Sequence, residues 1–226
     1  MPIPKNYTSS IRLTAKEKAF RQLQSWIIDG TLEPGEKLYD AEIAEAIGVS
    51  RTPVREAFQL LEVQGFIETY RGRDTRVTTV SKEDVQTMYL PLASLQALAA
   101  KLAATTITEE QIAKLNDVNV SYRQAIHDKD VPKIVEMDSQ FHTFILEIVD
   151  NPYIINFTSV LQLHIQRLEY IFFKQQHIPK EDSIGEHERI VQAFIQKNGQ
   201  LAAEIMEQNW LRPMKEVYQL MQYKKP

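Results

Sequence analysis

Apolar side chains recur at helical spacing through most of this chain, and one short stretch breaks the pattern. Ala19, Leu23, Trp26 and Ile27 fall at i, i+4, i+7 and i+8, the signature of one buried helix face. Thr14 with Glu17 three residues later reads as a capping box, and Gly30 suits the end, so a helix is expected over about 14–29. Pro34-Gly35 makes a turn, and two shorter helices follow over about 40–47 and 51–64. Beyond Gly65 the period drops to two. Phe66–Tyr70 and Thr75–Val80 then read as a hairpin joined by Arg71-Gly72-Arg73-Asp74. From Ser81 the helical period returns for good. Ser81 with Asp84 resembles a second capping box, and Pro91 is expected to kink or restart the helix reaching Ala104. Further helices are expected over about 108–128, 131–150, 152–174, 182–197 and 199–222.

The change of pattern near Val80 divides the 226 residues into 1–80, helices with a small hairpin, and 81–226, all helix. Each part is long enough to bury a modest core. The absence of cysteine removes disulfides, thiolate metal sites and cysteine nucleophiles. No apolar run approaches the ~18 residues of a membrane span, and the first 30 residues lack a signal-peptide core, so a cytoplasmic protein with no membrane partner is expected. The net charge of −4 argues at first against nucleic acid. That objection weakens when the chain is split, because acidic and basic residues balance over 1–80 and the whole acidic excess lies in 81–226.

The most informative run is DAEIAEAIGVSRTPVREAFQ, Asp40–Gln59. Two helices crossing steeply need a small residue where they touch, a glycine for the left-handed turn and apolar residues at fixed offsets. Ala44, Gly48, and Ile43, Ile47, Val49, Val54 and Ala57 meet those needs. The second helix opens with Ser50, Arg51 and Thr52, with Arg55 one turn on, so its N-terminal end suits a DNA major groove where arginines reach guanine edges. The hairpin then reads as a wing, with Arg71 and Arg73 at its tip and Gly72 allowing close backbone approach. The fold class expected is mainly α: an N-terminal winged helix-turn-helix over 1–80, then an all-α helical-bundle domain.

The segment PGEKLYDAEIAEAIGVSRTPVREAFQLLEVQGFIE resembles the DNA-binding domain of GntR-type regulators over about residues 14–80. The resemblance implies a double-stranded DNA operator as partner. It places Ser50, Arg51, Thr52, Arg55, Arg71 and Gly72 at the family's contacting positions. Ala41 stands where some members carry a DNA-contacting arginine.

In the second part, Asp138 and His142 fall inside the stripe Ile134, Val135, Phe141, Ile145 and Val149. A carboxylate facing a core is costly unless paired or bound to a cation. His187 shares a stripe with Ile190, Val191 and Phe194, His164 sits among Val160, Leu161, Leu168 and Ile171, and Asn209 follows Ala202, Ile205 and Met206. Five polar side chains are thus expected to point into one bundle. A carboxylate with several imidazoles suits Zn²⁺ or Ni²⁺, while an Asp–His pair with unrelated core histidines is the plainer alternative. His127 and His177 read as surface residues, and Glu136, Glu147 and Glu169 as solvated.

The segments MDSQFHTFILEIVDNPYI and EHERIVQAFIQKN resemble the metal-binding helices of the FCD (FadR C-terminal) ligand-binding domain. That resemblance implies Asp138, His142 and His187 as metal ligands, with Asn209 in the fourth place where histidine is usual, hence a weak site. Leu92 and Gln96 align with an arginine and a glutamate that help members bind carboxylate ligands, so Gln96 and His164 are assigned to an effector pocket. The expectation is a non-enzymatic, ligand-responsive regulator. It would act as a repressor reading a short inverted repeat as a homodimer, with an organic acid or related metabolite as effector. A metal-dependent hydrolase bundle and a DNA binder with a vestigial sensor are the competing readings.

Overall fold

The computed structural model describes residues 13–70, 74–173 and 181–223. Contacts divide the chain into two compact units: one takes the chain up to Ile27 together with Thr31–Thr78, the other Ile28–Gly30 and everything from Thr79.

In the first unit α1 (Ala15–Ile28) starts at the expected box, with the Thr14 N–H donating to Glu17 Oε2 at 2.8 Å and the Glu17 N–H donating to Thr14 Oγ1 at 3.2 Å. Ala19, Leu23 and Ile27 are fully buried. Helices α2 (Asp40–Ile47) and α3 (Arg51–Val63) are joined through Gly48, whose φ of 73° lies in the left-handed region. A Cβ there would meet nothing within 4 Å, so the constraint on this residue is backbone conformation and not space. Lys18 of α1 donates to the Ile47 carbonyl at 2.7 Å, tying α1 to the last turn of α2. The hairpin is β2 (Ile67–Thr69) and β3 (Thr75–Val77), each shorter than the alternation indicated, with Ile67 opposite Val77. A third strand, β1 (Lys37–Leu38), was not expected. It pairs antiparallel with β3, giving the order β1-β3-β2. Arg71, Gly72 and Arg73 lie outside the described residues.

The second unit is helical: α4 (Lys82–Thr106), α5 (Glu109–Asp128), α6 (Val131–Val149), α7 (Pro152–Phe173), α8 (Glu181–Ile195) and α9 (Gly199–Tyr223). The Ser81–Asp84 capping box forms at the head of α4. Pro91 does not restart α4, which runs unbroken through it. The reason is placement: Pro91 and Thr87, whose carbonyl loses its amide partner, are both on the solvent side, where water replaces the missing bond. α4 packs against α6, α7, α8 and α9, and its inner positions Val85, Tyr89, Leu92 and Gln96 are buried. α9 comes closest at Gly199, where a Cβ would stand 2.7 Å from the Lys101 carbonyl oxygen.

That approach sets a stability prediction. Gly199→Ala should force α4 and α9 apart and lower stability by about 1–3 kcal/mol, the range for overpacking. Gly185→Ala, inside α8 with open space around it, should raise stability by about 0.5–1 kcal/mol by restricting the unfolded chain. Urea unfolding followed by circular dichroism reads both, and equal midpoints for the two variants would discount the close approach.

Candidate functional sites

In the first unit α3 buries Val54, Ala57, Phe58 and Leu61 and turns Arg51, Thr52 and Arg55 outward. Ser50 is its N-cap residue and is exposed, and its hydroxyl makes no capping bond, which leaves it available. The two arginines share one carboxylate. Arg51 Nη2 donates to Asp40 Oδ1 at 2.8 Å and Arg55 Nε to Asp40 Oδ2 at 2.5 Å. The Arg55 bond, helped by that of Arg51 and by both positive charges, outweighs the opposing effect of burial and holds the Asp40 carboxyl below the usual carboxylate range. Asp40 itself starts α2, where the helix dipole favours a negative charge. The result is two guanidinium groups side by side at the N-terminal end of an exposed helix.

In the second unit, Asp138, His142 and His187 are all buried and each offers one donor atom within 4.8 Å of the others. His187 Nε2 lies 3.8 Å from Asp138 Oδ1, too long for a hydrogen bond and suited to two donors on one ion. Its Nδ1 sits 3.0 Å from Asn119 Oδ1, an acceptor, so in the neutral ring Nδ1 carries the proton and Nε2 presents its lone pair to Asp138. The ring is fixed further by stacking on Phe141 at 3.8 Å and Tyr122 at 5.4 Å. His142 lies edge-on to His187 at 5.2 Å and against Trp210 at 4.4 Å. Around them Tyr89 and Tyr122 have phenols raised well above their usual range by burial, so both hydroxyls stay protonated.

Asn209 is buried, and its amide nitrogen donates to Glu186 Oε2 at 2.8 Å. Glu186 also accepts from Arg212 Nε and Nη2, each at 3.0 Å. Burial alone would lower the Arg212 pKa, but the Glu186 bonds and charge outweigh it and leave the pKa raised. Gln96 is fully buried, and neither amide atom has a hydrogen-bond partner among the described residues. Leu92 is likewise buried.

Two expectations on α7 meet a different setting. His164 is half-buried, and the three donor atoms within 4.8 Å of one another come from Asp138, His142 and His187. Glu169 is buried, not solvated: α7 packs against both α4 and α6, so its covered arc is wider than one apolar stripe, and Glu169 lines a small cavity with Asp138, Gln162 and Trp210. Glu136, Glu147 and His127 are exposed as expected, and His177 lies outside the described residues. Arg167, fully buried on α7, was not foreseen; desolvation pushes its guanidinium down to about 10, still cationic at neutral pH. Asn119 was also missed, although it falls inside the stripe Leu115, Val118, Tyr122 and Ala125 and so carried the same signal as Asp138.

Residues 88–211, more than half of the chain, match the family described as FCD domain. Residues 15–77 match bacterial regulatory proteins, gntR family. The HTH-type transcriptional repressor RspR of Escherichia coli (strain K12) is 28% identical over 207 residues, covering 91% of this chain and 90% of its own. The uncharacterized HTH-type transcriptional regulator YdhC of Bacillus subtilis (strain 168) is 27% identical over 186 residues, covering 82% and 83%. Among solved structures, E. coli McbR/YncC superposes with a TM-score of 0.83 at 20% identity over 94% of this chain and 100% of its own, which shows a shared fold.

The Glu186 arrangement makes its own prediction. Glu186→Ala removes the acceptor of the buried Asn209 amide and two bonds from Arg212, which keeps Glu216 and Ser183, and should cost about 1–3 kcal/mol, less than a fully buried pair because both ionic side chains keep some exposure. Glu186→Gln, which still accepts, should recover part of that loss. Chemical denaturation of the three proteins side by side is the measurement, and an unaffected Glu186→Ala would show the cluster to be energetically idle.

Proposed function

The chain belongs to the GntR family of bacterial regulatory proteins and carries an FCD-type effector domain, and from that premise we propose that it is a cytoplasmic repressor that reads a short inverted repeat as a homodimer. Its family consists of ligand-responsive DNA-binding regulators, not enzymes. The observation that carries the reading is the pair Arg51 and Arg55, held together by Asp40 at the open end of α3. Two guanidinium forks fixed side by side suit adjacent guanine O6 and N7 atoms, while Ser50 and Thr52 at the same helix start suit phosphate. In the absence of DNA, Asp40 limits the conformations the arginines visit. In the complex the guanine edges take over bonds that Asp40 now receives. Arg71, Gly72 and Arg73 extend the contact at the wing by their place in the sequence.

In the bundle, Asp138, His142 and His187 form a donor set that fits Zn²⁺ or Ni²⁺: one carboxylate, two imidazoles, and Asn119 fixing the tautomer of one of them. Asn209 would be the fourth ligand only through its carbonyl oxygen, since its nitrogen is committed to Glu186, so the site is weak. A bound cation would supply an electrophilic centre for an oxygen of the effector, an organic acid or related metabolite. Gln96, with donor and acceptor both open, and His164 would complete the pocket. Effector binding then biases the helices between two arrangements, and a coupling of ~1–3 kcal/mol is enough to change operator occupancy several-fold.

Two measurements follow. For DNA, Arg51→Ala or Arg55→Ala should each lose about 1–3 kcal/mol on the operator with little change on scrambled duplex. Asp40→Asn should bind scrambled duplex more tightly, with a steeper salt dependence, and so discriminate less. Titrations on both duplexes at several salt concentrations decide, and full discrimination in both arginine variants would sink the assignment. For metal, His142→Ala should abolish binding, Asn119→Ala should weaken it about 10–100-fold, and Asn209→His should tighten it. Elemental analysis and melting temperature with and without chelator read these out, because a cation held only by the folded state raises the melting temperature. A His142→Ala protein that holds metal like the parent would make the cluster a structural polar core.

A further inference from the structure

Beside the Asp138 group, a small cavity lies between α6, α7 and α9, and the three donors do not account for its lining. It measures about 10 Å³, room for about one water. Its two charged lining residues, Asp138 of α6 and Glu169 of α7, are both acidic and both buried. Two uncharged donors, Gln162 of α7 and Trp210 of α9, line it as well. Each is more than nine-tenths buried, and neither Gln162 Nε2 nor Trp210 Nε1 has a hydrogen-bond partner among the described residues. On the outer side, Ser139 Oγ accepts from Gln166 Nε2 at 2.6 Å, which ties α6 to α7 at the rim.

The two carboxylates act on the same surroundings. Burial raises the Tyr89 phenol most, and the charges of Glu169 and Asp138 raise it further. At Tyr122 burial again comes first, followed by the same two charges. Both rings therefore face one region of negative potential. The nearby arginines are directed elsewhere. Arg212 is bound to Glu186 and Glu216. Arg167 stands two residues from Glu169, about 200° around the helix, and so points to the other side of α7. Two carboxylates on one small buried cavity are costly unless a cation answers both.

We propose that Glu169 is the second carboxylate of the Asp138–His142–His187 cation site, balancing the cation's charge from across the cavity. The proposal rests on the reading of those three residues as a cation site and adds a residue to it. A divalent ion held by Asp138 and two neutral imidazoles leaves one positive charge inside the bundle. Glu169 cancels that charge, so the loaded site is buried without a net charge. The donor atoms within 4.8 Å of one another are those of the other three residues, so Glu169 acts through the one water that the cavity admits. Gln162 Nε2 and Trp210 Nε1 are placed to donate to the carboxylate oxygens left over. Outer carboxylates of this kind orient and strengthen metal sites. The arrangement also compensates for Asn209, whose amide nitrogen is committed to Glu186 at 2.8 Å: Glu169 supplies by charge part of what a fourth imidazole would supply by bonding. α7 provides none of the three donors, so Glu169 is what joins it to α6 and α8 when the site is loaded.

The test titrates the full chain with Zn²⁺ against a competing chelator and follows melting in excess chelator. Glu169→Gln and Glu169→Ala should each weaken Zn²⁺ binding about 10–100-fold, and Glu169→Asp should recover part of the loss. Glu147→Gln, on the exposed side of α6, should bind like the parent. In excess chelator Glu169→Gln should melt no lower than the parent, because the amide removes a buried charge and keeps the shape. A Glu169→Gln protein that melts lower in chelator and keeps its Zn²⁺ affinity has lost packing only, and overturns the proposal. His142→Ala in the same titration reports on the site itself. If His142→Ala loses Zn²⁺ while both Glu169→Gln and Glu169→Ala bind as tightly as the parent, the three-residue site stands and the role of Glu169 falls. If the parent binds no better than His142→Ala, the site falls and the role of Glu169 with it.

Discussion

A carboxylate and two imidazoles inside an apolar helical bundle are expensive to bury, and much of the second unit is arranged to hold them. Asp138 cannot face Phe141 and Ile145 as a lone charge; it persists where donors or a cation answer it. His187 is the most constrained of the three, with Asn119 fixing one nitrogen and Phe141 and Tyr122 flanking the ring. A neighbouring knot, Glu186 with Arg212 and Asn209, closes the next turn of α8 against α9. Both groups join side chains from distant sequence positions, which the packing of α5, α6, α8 and α9 brings together.

The first unit solves a smaller form of the same problem. Arg51 and Arg55 are cations on one helix turn, and they would repel each other in the free protein. Asp40, supplied by the start of α2, offsets that repulsion and sets their orientation. The steep α2–α3 crossing that brings Asp40 there depends on Gly48 in the left-handed region and on Ala44 beneath it. A single turn residue thus positions an ion network several residues away on each side.

Features that depend on local periodicity were legible in the sequence: the capping boxes at Thr14 and Ser81, the Gly48 turn, and Asp138 and His142 as polar residues within an apolar stripe. Features that depend on which helix faces which were not. Glu169 reads as solvated in the sequence, yet α7 packs against both α4 and α6 and buries it. Glu186 and Arg212 give no one-dimensional sign of meeting, since 26 residues separate them and only the α8–α9 packing joins them. β1 is two residues long, too short for alternation to show. Pro91 signals a break in any sequence pattern, and only its solvent-facing setting cancels the signal.

α4 concentrates these constraints in one element. Its inner face must be small or exactly filled where α9 approaches, as Ala99, Ala103 and the Lys101–Gly199 contact require, and polar at Gln96 beside an otherwise apolar row. Its outer face carries the exposed side chains of Leu90, Leu98 and Leu102. A helix apolar on both sides is normally a fully buried one. Because α4 packs against α6, α7, α8 and α9, movement of the row that carries Gln96 cannot be absorbed locally. A close-packed core passes displacement on instead of damping it, so chemistry at Gln96 and geometry at Leu98, half a turn apart, are parts of one mechanical element.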